Sequence, residues 1–178
     1  MKITTKITVL CISLAVISSS IVALGVAAQA TPGQISQIRN ECVSLRNTLS
    51  QLHVSDALLR VNMGQRYELI STKLMDRFNG RLASNNFKLD DLQSSSANYK
   101  STLDLFREDY KIYEENMVLI VKIDCKSQPS EFYDALLAAR SSRAQVYEDI
   151  VKLGQQIDEY NNALTKFESN YQSIGVKN

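Results

Sequence analysis

The sequence is poor in the residues that end secondary structure, since its 178 residues include 2 prolines and 6 glycines. A β-sandwich needs many tight turns, so this scarcity disfavours it and favours long helices. Tryptophan is absent and histidine occurs once. The length is typical of one domain rather than two.

Motifs that carry enzyme chemistry are also missing. The sequence contains no glycine-rich phosphate loop, no nucleophile elbow, no HExxH pair and no CxxC pair. The single histidine, His53, has no second histidine with which to complete a site. We therefore predict a protein that is not an enzyme, with no catalytic residue, no metal and no cofactor.

Neither sign of charge is in clear excess, because the chain has 20 basic and 19 acidic side chains. A nucleic-acid-binding domain presents a basic stripe, and an acidic tail would point to a basic partner. The sequence has neither feature. It therefore predicts no nucleic-acid partner.

The first thirty residues differ in composition from the rest. Lys2 and Lys6 precede an uncharged, mostly apolar run over residues 7–27, and Ala28 and Ala30 follow it. A basic start, an apolar middle and a small-residue exit are the layout of a secretory signal peptide. Cleavage after Ala30 is the leading interpretation. The alternative is an uncleaved membrane anchor, since about twenty apolar residues can span a bilayer.

Both interpretations place residues 31–178 outside the cytoplasmic membrane, as a secreted, periplasmic or cell-surface domain. The membrane would be contacted through residues 7–27 alone, and only in the uncleaved form. Cys11 follows Leu10 inside the apolar run, where a lipoprotein would need a small residue, so we predict no lipid attachment. Loss of residues 1–30 leaves 18 basic and 19 acidic side chains.

Residues 31–178 contain three segments whose apolar residues recur at alternating intervals of three and four. This spacing averages about 3.5 residues and is typical of helices that wrap around one another. We call these the seam positions. They are Ile35, Ile38, Cys42, Leu45, Leu49, Leu52, Leu59, Met63, Ile70 and Leu74; then Leu92, Ser96, Tyr99, Leu103, Phe106, Tyr110, Tyr113, Met117 and Ile120; then Val146, Ile150, Leu153, Ile157, Tyr160, Leu164, Phe167, Tyr171 and Ile174.

Two breaks separate the segments. Gly80 and the Asn85–Asn86 pair predict a turn over residues 79–87, and Pro129 predicts a helix start after the break at 126–130. The predicted fold is all-α, an elongated antiparallel three-helix bundle that runs up, down and up after an apolar signal or anchor helix. Its helices are expected at about residues 34–80, 87–124 and 129–173.

Cys42 and Cys125 are the two cysteines outside the first thirty residues. Residues at one level of an antiparallel hairpin are symmetric about its turn, and the midpoint of this pair falls inside residues 79–87. The sequence therefore predicts a Cys42–Cys125 disulfide, which an oxidising compartment preserves. Two free buried thiols are the alternative. Zinc is disfavoured because it takes four ligands. One detail conflicts, since heptad counting places Asp124 on the seam instead of Cys125.

Two charged residues occupy seam positions, Asp56 in the first helix and Arg143 in the third. The same register places them within about one turn of each other, with His53 and Glu114 nearby. We predict a polar core layer of these four residues that fixes helix register. Two alternatives stay open. The positions could turn outward to solvent, or His53 and Asp56 could serve as a general base or metal ligands.

The stretch DCKSQPSEFYDALLAARSSRAQVYEDI, with NECVSLR upstream, resembles uncharacterised secreted helical proteins of ultrasmall, reduced-genome bacteria. The resemblance covers residues 125–150 and the segment around Cys42. It implies secretion and a helical coiled-coil fold, and it carries no activity. In shape, the predicted architecture also resembles a spectrin-type three-helix unit.

These features predict an exported or membrane-tethered, non-catalytic structural or protein-interaction module of the cell envelope or surface. Its partner is expected to be another envelope or surface protein, or a second copy of this chain, since sustained heptads also pair between chains. The alternative is an extracytoplasmic chaperone-like or sensor domain that clasps clients or ligands. The expected contact point is the distal tip, formed by Asn79, Arg81, Asn85, Asn86, Phe87 and Lys88.

Overall fold

A computed structural model describes residues 29–175, with side chains up to Gln172. Every regular element in that range is helical, which confirms the predicted all-α class. The predicted signal or anchor lies almost entirely outside the described residues. The elements are α1 (Pro32–Asn40), α2 (Cys42–Leu69), a π-helical segment (Ile70–Met75), α3 (Asp76–Ser84), α4 (Asp90–Lys122) and α5 (Pro129–Gly175).

We call residues 32–84 the first arm. It lies along the closely packed pair of α4 and α5, with α1 against α5 and α2 against α4. In α2, His53 meets Glu114 of α4, whereas Asn79 of α3 meets Leu92 near the start of α4. Residue numbers thus rise along the arm as they fall along α4, so the two run antiparallel. None of the helices within residues 29–175 combines the length and apolar composition that a bilayer span requires.

The first arm begins with a capping box. The backbone N–H of Gln34 donates to the Thr31 hydroxyl at 3.3 Å, and the Thr31 N–H donates back to the Gln34 side chain at 2.8 Å. These bonds satisfy donors that a helix start leaves unpaired. Pro32 fits the first helical position because no partner is needed there for an N–H. The arm therefore starts two residues before the predicted boundary, and it is interrupted once, at Glu41.

The arm ends later than predicted, because Asn86 and not Gly80 terminates it. Asn86 has a left-handed backbone, with φ of 61°. Its N–H donates to the carbonyl of Ala83 at 3.0 Å, and the N–H of Phe87 donates to that of Leu82 at 3.2 Å. These are the two bonds of a Schellman motif, which an asparagine in the left-handed region can close. Gly80 remains helical, so residues 79–84 belong to the arm and not to the turn.

The second turn holds Cys125. α4 ends at Lys122, and the backbone of Ile123 is extended, with ψ of 131°. The Asp124 carboxylate then accepts bonds from the Lys126 N–H at 3.1 Å and the Ser127 hydroxyl at 2.8 Å. Such local bonds favour a turn over continued helix. Pro129 opens α5 as predicted.

The π-helical segment changes which face of the arm is buried. A π turn adds a residue to the local repeat, and the buried residues here recur at intervals of four, namely Tyr67, Ser71, Met75 and Asn79. The seam positions predicted for this region are wrong at Leu74. That side chain is 62% exposed, whereas Met75 is 2% exposed.

The core is best ordered along α4. All nine predicted seam positions of this helix are buried, from Leu92 to Ile120. In α5, Val146, Leu153 and Tyr160 are buried, but Tyr171 near the end is 56% exposed. The α4–α5 pair is thus the scaffold on which the first arm rests.

Candidate functional site

The structure joins Cys42 and Cys125 in a disulfide with Cα atoms 5.5 Å apart. Cys42 opens α2, and Cys125 lies in the turn between α4 and α5. Because α4 has already ended, the heptad count no longer applies at Cys125, and the conflict with Asp124 disappears. Both cysteines are buried. The bridge ties the start of α2 to the second turn.

Asp56 is the centre of a polar cluster between α2, α4 and α5. Arg143 donates from Nε to Asp56 Oδ2 at 2.7 Å and from Nη2 to Oδ1 at 3.2 Å. The Tyr113 hydroxyl donates to Oδ2 at 2.7 Å. A two-bond guanidinium contact fixes orientation as well as charge. Burial acts to raise the pKa of Asp56, but the bonds from Arg143 and Tyr113 outweigh it and hold that pKa below its usual value.

His53 and Glu114 form the second half of this cluster. His53 Nε2 lies 2.7 Å from Glu114 Oε1, and the Tyr110 hydroxyl donates to Glu114 Oε2 at 3.3 Å. The four predicted residues therefore come together as two neighbouring pairs. They lie at the margin of the core and not inside it, because the side chain of Arg143 is 53% exposed while that of Asp56 is 12% exposed.

Replacing Asp56 with asparagine is expected to lower the free energy of unfolding by about 1 kcal/mol at neutral pH, since Arg143 loses its charged partner while Tyr113 keeps an acceptor. The lowered pKa means that Asp56 stabilises the fold above the unfolded-state pKa and that this contribution is lost on acidification. Urea unfolding at pH 7 measures the change. Asp104→Asn, on the exposed face of α4, is the matched control. An equal loss in both variants would contradict the prediction.

A groove of 490 Å³ lies beside the polar cluster, between α2 and α5, and we call it the α2–α5 groove. Its mouth carries two large exposed side chains on opposite walls, Leu59 and Tyr147, which are 57% and 66% exposed. The Arg60 guanidinium lies 4.8 Å from the centre of the Tyr110 ring. The lining residues are Asp56, Leu59, Arg60, Met63, Phe106, Tyr110, Tyr113, Arg140, Arg143, Ala144, Val146, Tyr147 and Ile150.

The opposite side of α2 carries exposed apolar residues that we call the outer stripe. It consists of Val54, Leu58, Val61 and Leu69, which are 62%, 63%, 47% and 52% exposed. The first three follow steps of four and three, the spacing of a helix-pairing surface.

From Val54 to Val61 the outer stripe also lacks charge. Between Asn47 and Gln65 the charged residues of α2 are Asp56 and Arg60, and both point away from the stripe, toward Arg143 and the Tyr110 ring. Depletion of charge around exposed large apolar residues is typical of the centre of a protein–protein interface. The outer stripe is therefore a candidate contact surface.

The predicted distal tip divides into buried and exposed residues. Asn79 was predicted wrongly as a contact residue, because it is 9% exposed and lies inside the arm. Its Oδ1 accepts from the Tyr160 hydroxyl at 2.8 Å, and its Nδ2 donates to the Leu92 carbonyl at 3.4 Å. Phe87 is half-buried and packs edge-on against Phe167 with ring centres 5.6 Å apart. The exposed members are Arg81, Asn85, Asn86 and Lys88.

Within residues 29–175, no three His, Cys, Asp or Glu side chains are grouped so that they could hold a metal ion. No family model matches the chain, and no curated protein or solved structure matches it. The resemblance to secreted helical proteins stays a prediction. The candidate site therefore rests on geometry alone, in the outer stripe and the α2–α5 groove.

Proposed function

We propose that this chain is an exported or membrane-tethered, non-catalytic module that binds another protein of the cell envelope or surface. In this proposal residues 31–178 act as one rod, a three-helix bundle of the first arm, α4 and α5. At 1.5 Å per residue, α5 alone is about 70 Å long. A rod of this kind presents long helix faces and little enclosed space, which suits binding better than catalysis.

The outer stripe is the observation that carries the proposal. Leu58 and its neighbours leave a row of large apolar side chains in water, on a helix side without charges. Contiguous exposed apolar patches with polar rims mark interaction sites in soluble proteins. The outer face of α4 also exposes large apolar residues, Leu105, Ile112 and Leu119. It differs from the outer stripe because charged residues, Asp104, Lys111 and Glu115, stand among them. These features favour the side of α2 as the contact surface; contact through the exposed residues of the distal tip stays a prediction.

The disulfide supports the location. A bridge between Cys42 and Cys125 is typical of proteins that fold in an oxidising compartment. It agrees with the signal-like composition of residues 1–30, whether that segment is cleaved or retained as an anchor. The exported rod would then meet its partner in the envelope or at the cell surface.

Site-specific photo-cross-linking in the native cells tests the proposal. A benzophenone side chain at Leu58, in the outer stripe, is expected to give a discrete adduct with an envelope or surface protein, or with a second copy of the chain. The same group at Lys111, on the charged outer face of α4, is the matched control and should give none. Equal adducts at both positions, or none at position 58, would refute the proposed contact surface.

A second function, clasping of unfolded clients, is favoured by the α2–α5 groove. Leu59 of α2 and Tyr147 of α5 both line it and are both exposed, so an apolar surface is open to a client segment. In this case the chain should slow the aggregation of a chemically unfolded protein, as measured by light scattering. Tyr147→Glu should abolish the effect, while Lys111→Glu should not. Suppression that survives Tyr147→Glu would exclude the groove as the client site.

A further inference from the structure

The α2–α5 groove combines an apolar interior with an excess of positive charge at its mouth. Three guanidinium groups line it, those of Arg60, Arg140 and Arg143, against the single carboxylate of Asp56. Both oxygens of Asp56 already bind Arg143. The groove therefore keeps two positive charges that Asp56 does not neutralise.

The two remaining arginines have different environments. Arg60 lies over the Tyr110 ring, and its charge stays available above that ring because a cation–π contact does not neutralise it. Arg140 makes no ion pair with any residue in the described range 29–175. It stands one turn before Arg143 on α5 and lines the same groove as Tyr147. The guanidinium of Arg140 can therefore form an ion pair with an anion at the mouth of the groove.

The apolar part of the groove is large enough for a ring system or an acyl chain. Its volume of 490 Å³ lies within the usual range of small-molecule sites, roughly 300–1,000 Å³. Phe106 and Met63 line it alongside Val146, and Leu59 and Tyr147 border the opening. A ligand that filled the groove would take the two bordering side chains out of water, which favours binding.

We propose that the α2–α5 groove binds small amphipathic anions, with the anionic group on Arg140 and the apolar body extending along the groove toward Leu59 and Tyr147. Charge complementarity selects an anion, and the apolar walls select a ring or chain. Cationic amphiphiles are disfavoured by the same arginines. This site is separate from the outer stripe, so either one can fail without the other.

Two fluorescent probes that differ by one charge test this inference on the purified full chain. 1-Anilinonaphthalene-8-sulfonate is an aromatic monoanion, and N-phenyl-1-naphthylamine is its uncharged parent. Both brighten in apolar sites. The anion is expected to bind saturably and about fivefold more tightly than the uncharged probe, the size of effect expected for a partly exposed ion pair.

Variants separate this groove from general surface binding. Arg140→Gln should weaken binding of the sulfonate probe about fivefold and leave binding of the uncharged probe unchanged. Arg140→Lys should retain most of the affinity for the sulfonate probe. Tyr147→Ala should weaken both probes. Arg66→Gln, an exposed arginine of α2 outside the groove, is the matched control and should change neither.

Three results would overturn the inference. They are equal affinity of the wild-type chain for both probes, unchanged sulfonate binding by Arg140→Gln, and an equal loss in Arg66→Gln. Arg140 is exposed and outside the core, so Arg140→Gln is expected to keep the wild-type helical circular dichroism and unfolding midpoint. A change in probe affinity in this variant therefore reports a change in binding and not a loss of folding.

Discussion

Replacing both Cys42 and Cys125 with serine is expected to lower the free energy of unfolding by about 4 kcal/mol. The bridge links residues 83 apart in sequence, and closing a loop of that length restricts the unfolded chain strongly. The first arm depends on this link, because α2 packs less extensively on α4 than α4 packs on α5. Guanidinium unfolding of the oxidised wild type and the double variant measures the difference.

Two controls isolate the bridge from local packing. Reduction of the wild type should reproduce the loss seen in the double serine variant. Val43→Ser and Lys126→Ser alter exposed neighbours of the two cysteines and should leave the midpoint almost unchanged. A loss below about 1 kcal/mol in the double variant would show that loop closure contributes little here.

Replacing Asp149 with asparagine is expected to raise the free energy of unfolding by about 2 kcal/mol at pH 8. Asp149 is 5% exposed, and its Oδ2 has no hydrogen-bond partner among the described residues. Burial, and next the neighbouring Asp109 side chain, raise the pKa of Asp149 from 3.8 to about 6. At pH 8 the fold therefore holds an unfavourable buried charge that asparagine removes.

The sign of the pH dependence follows from the raised pKa. Wild-type stability from this group is greatest below pH 3.8 and is lost as the pH rises through about 6. Asp149→Asn should remove this component, so the advantage of the variant should shrink between pH 7 and pH 4.5. Lys152 and Glu148 also act on this pKa. Glu159→Gln, which alters an exposed carboxylate elsewhere on α5, is the matched control and should leave the stability at pH 8 unchanged. A variant less stable than the wild type at pH 8 would contradict the account.

Much of the scaffold could be predicted from periodicity. In α4 the three-and-four spacing continues without a break, so each seam residue from Leu92 to Ile120 is buried as predicted. This inference succeeds because a regular helix converts sequence intervals directly into positions on a face. The Cys42–Cys125 pair was also predicted correctly, although the midpoint of the pair falls at the end of α3 and not in the turn where the sequence placed it.

The parts that could not be predicted depend on irregular backbone or on contacts between helices. The π-helical segment moves burial from Leu74 to Met75, and no local signal in the sequence marks it. Asn79 looked like a turn residue, but tertiary contacts with Tyr160 place it inside. Tertiary packing overrides local preference in such cases.

The outer stripe and the α2–α5 groove were missed for a different reason. Val54, Leu58 and Val61 lie off the seam, where single apolar residues are common and carry no signal alone. They form an uncharged surface because Asp56 points toward Arg143 and Arg60 points toward the Tyr110 ring, and only the structure shows these directions. The groove likewise depends on how far α2 stands from α5. The signal that the sequence did offer is the second set of four- and three-residue intervals on α2, from Val54 to Leu58 and from Leu58 to Val61.

Peptide mapping of the protein isolated from its native cells tests the central claim, that a Cys42–Cys125 disulfide holds the first arm to the α4–α5 pair. Thiols are alkylated before and after reduction, and the masses of the peptides carrying Cys42 and Cys125 are measured by mass spectrometry. We predict that both resist alkylation until reduction and are found linked to each other within one chain. Alkylation of either cysteine without reduction, or linkage of each to a second chain, would contradict the account.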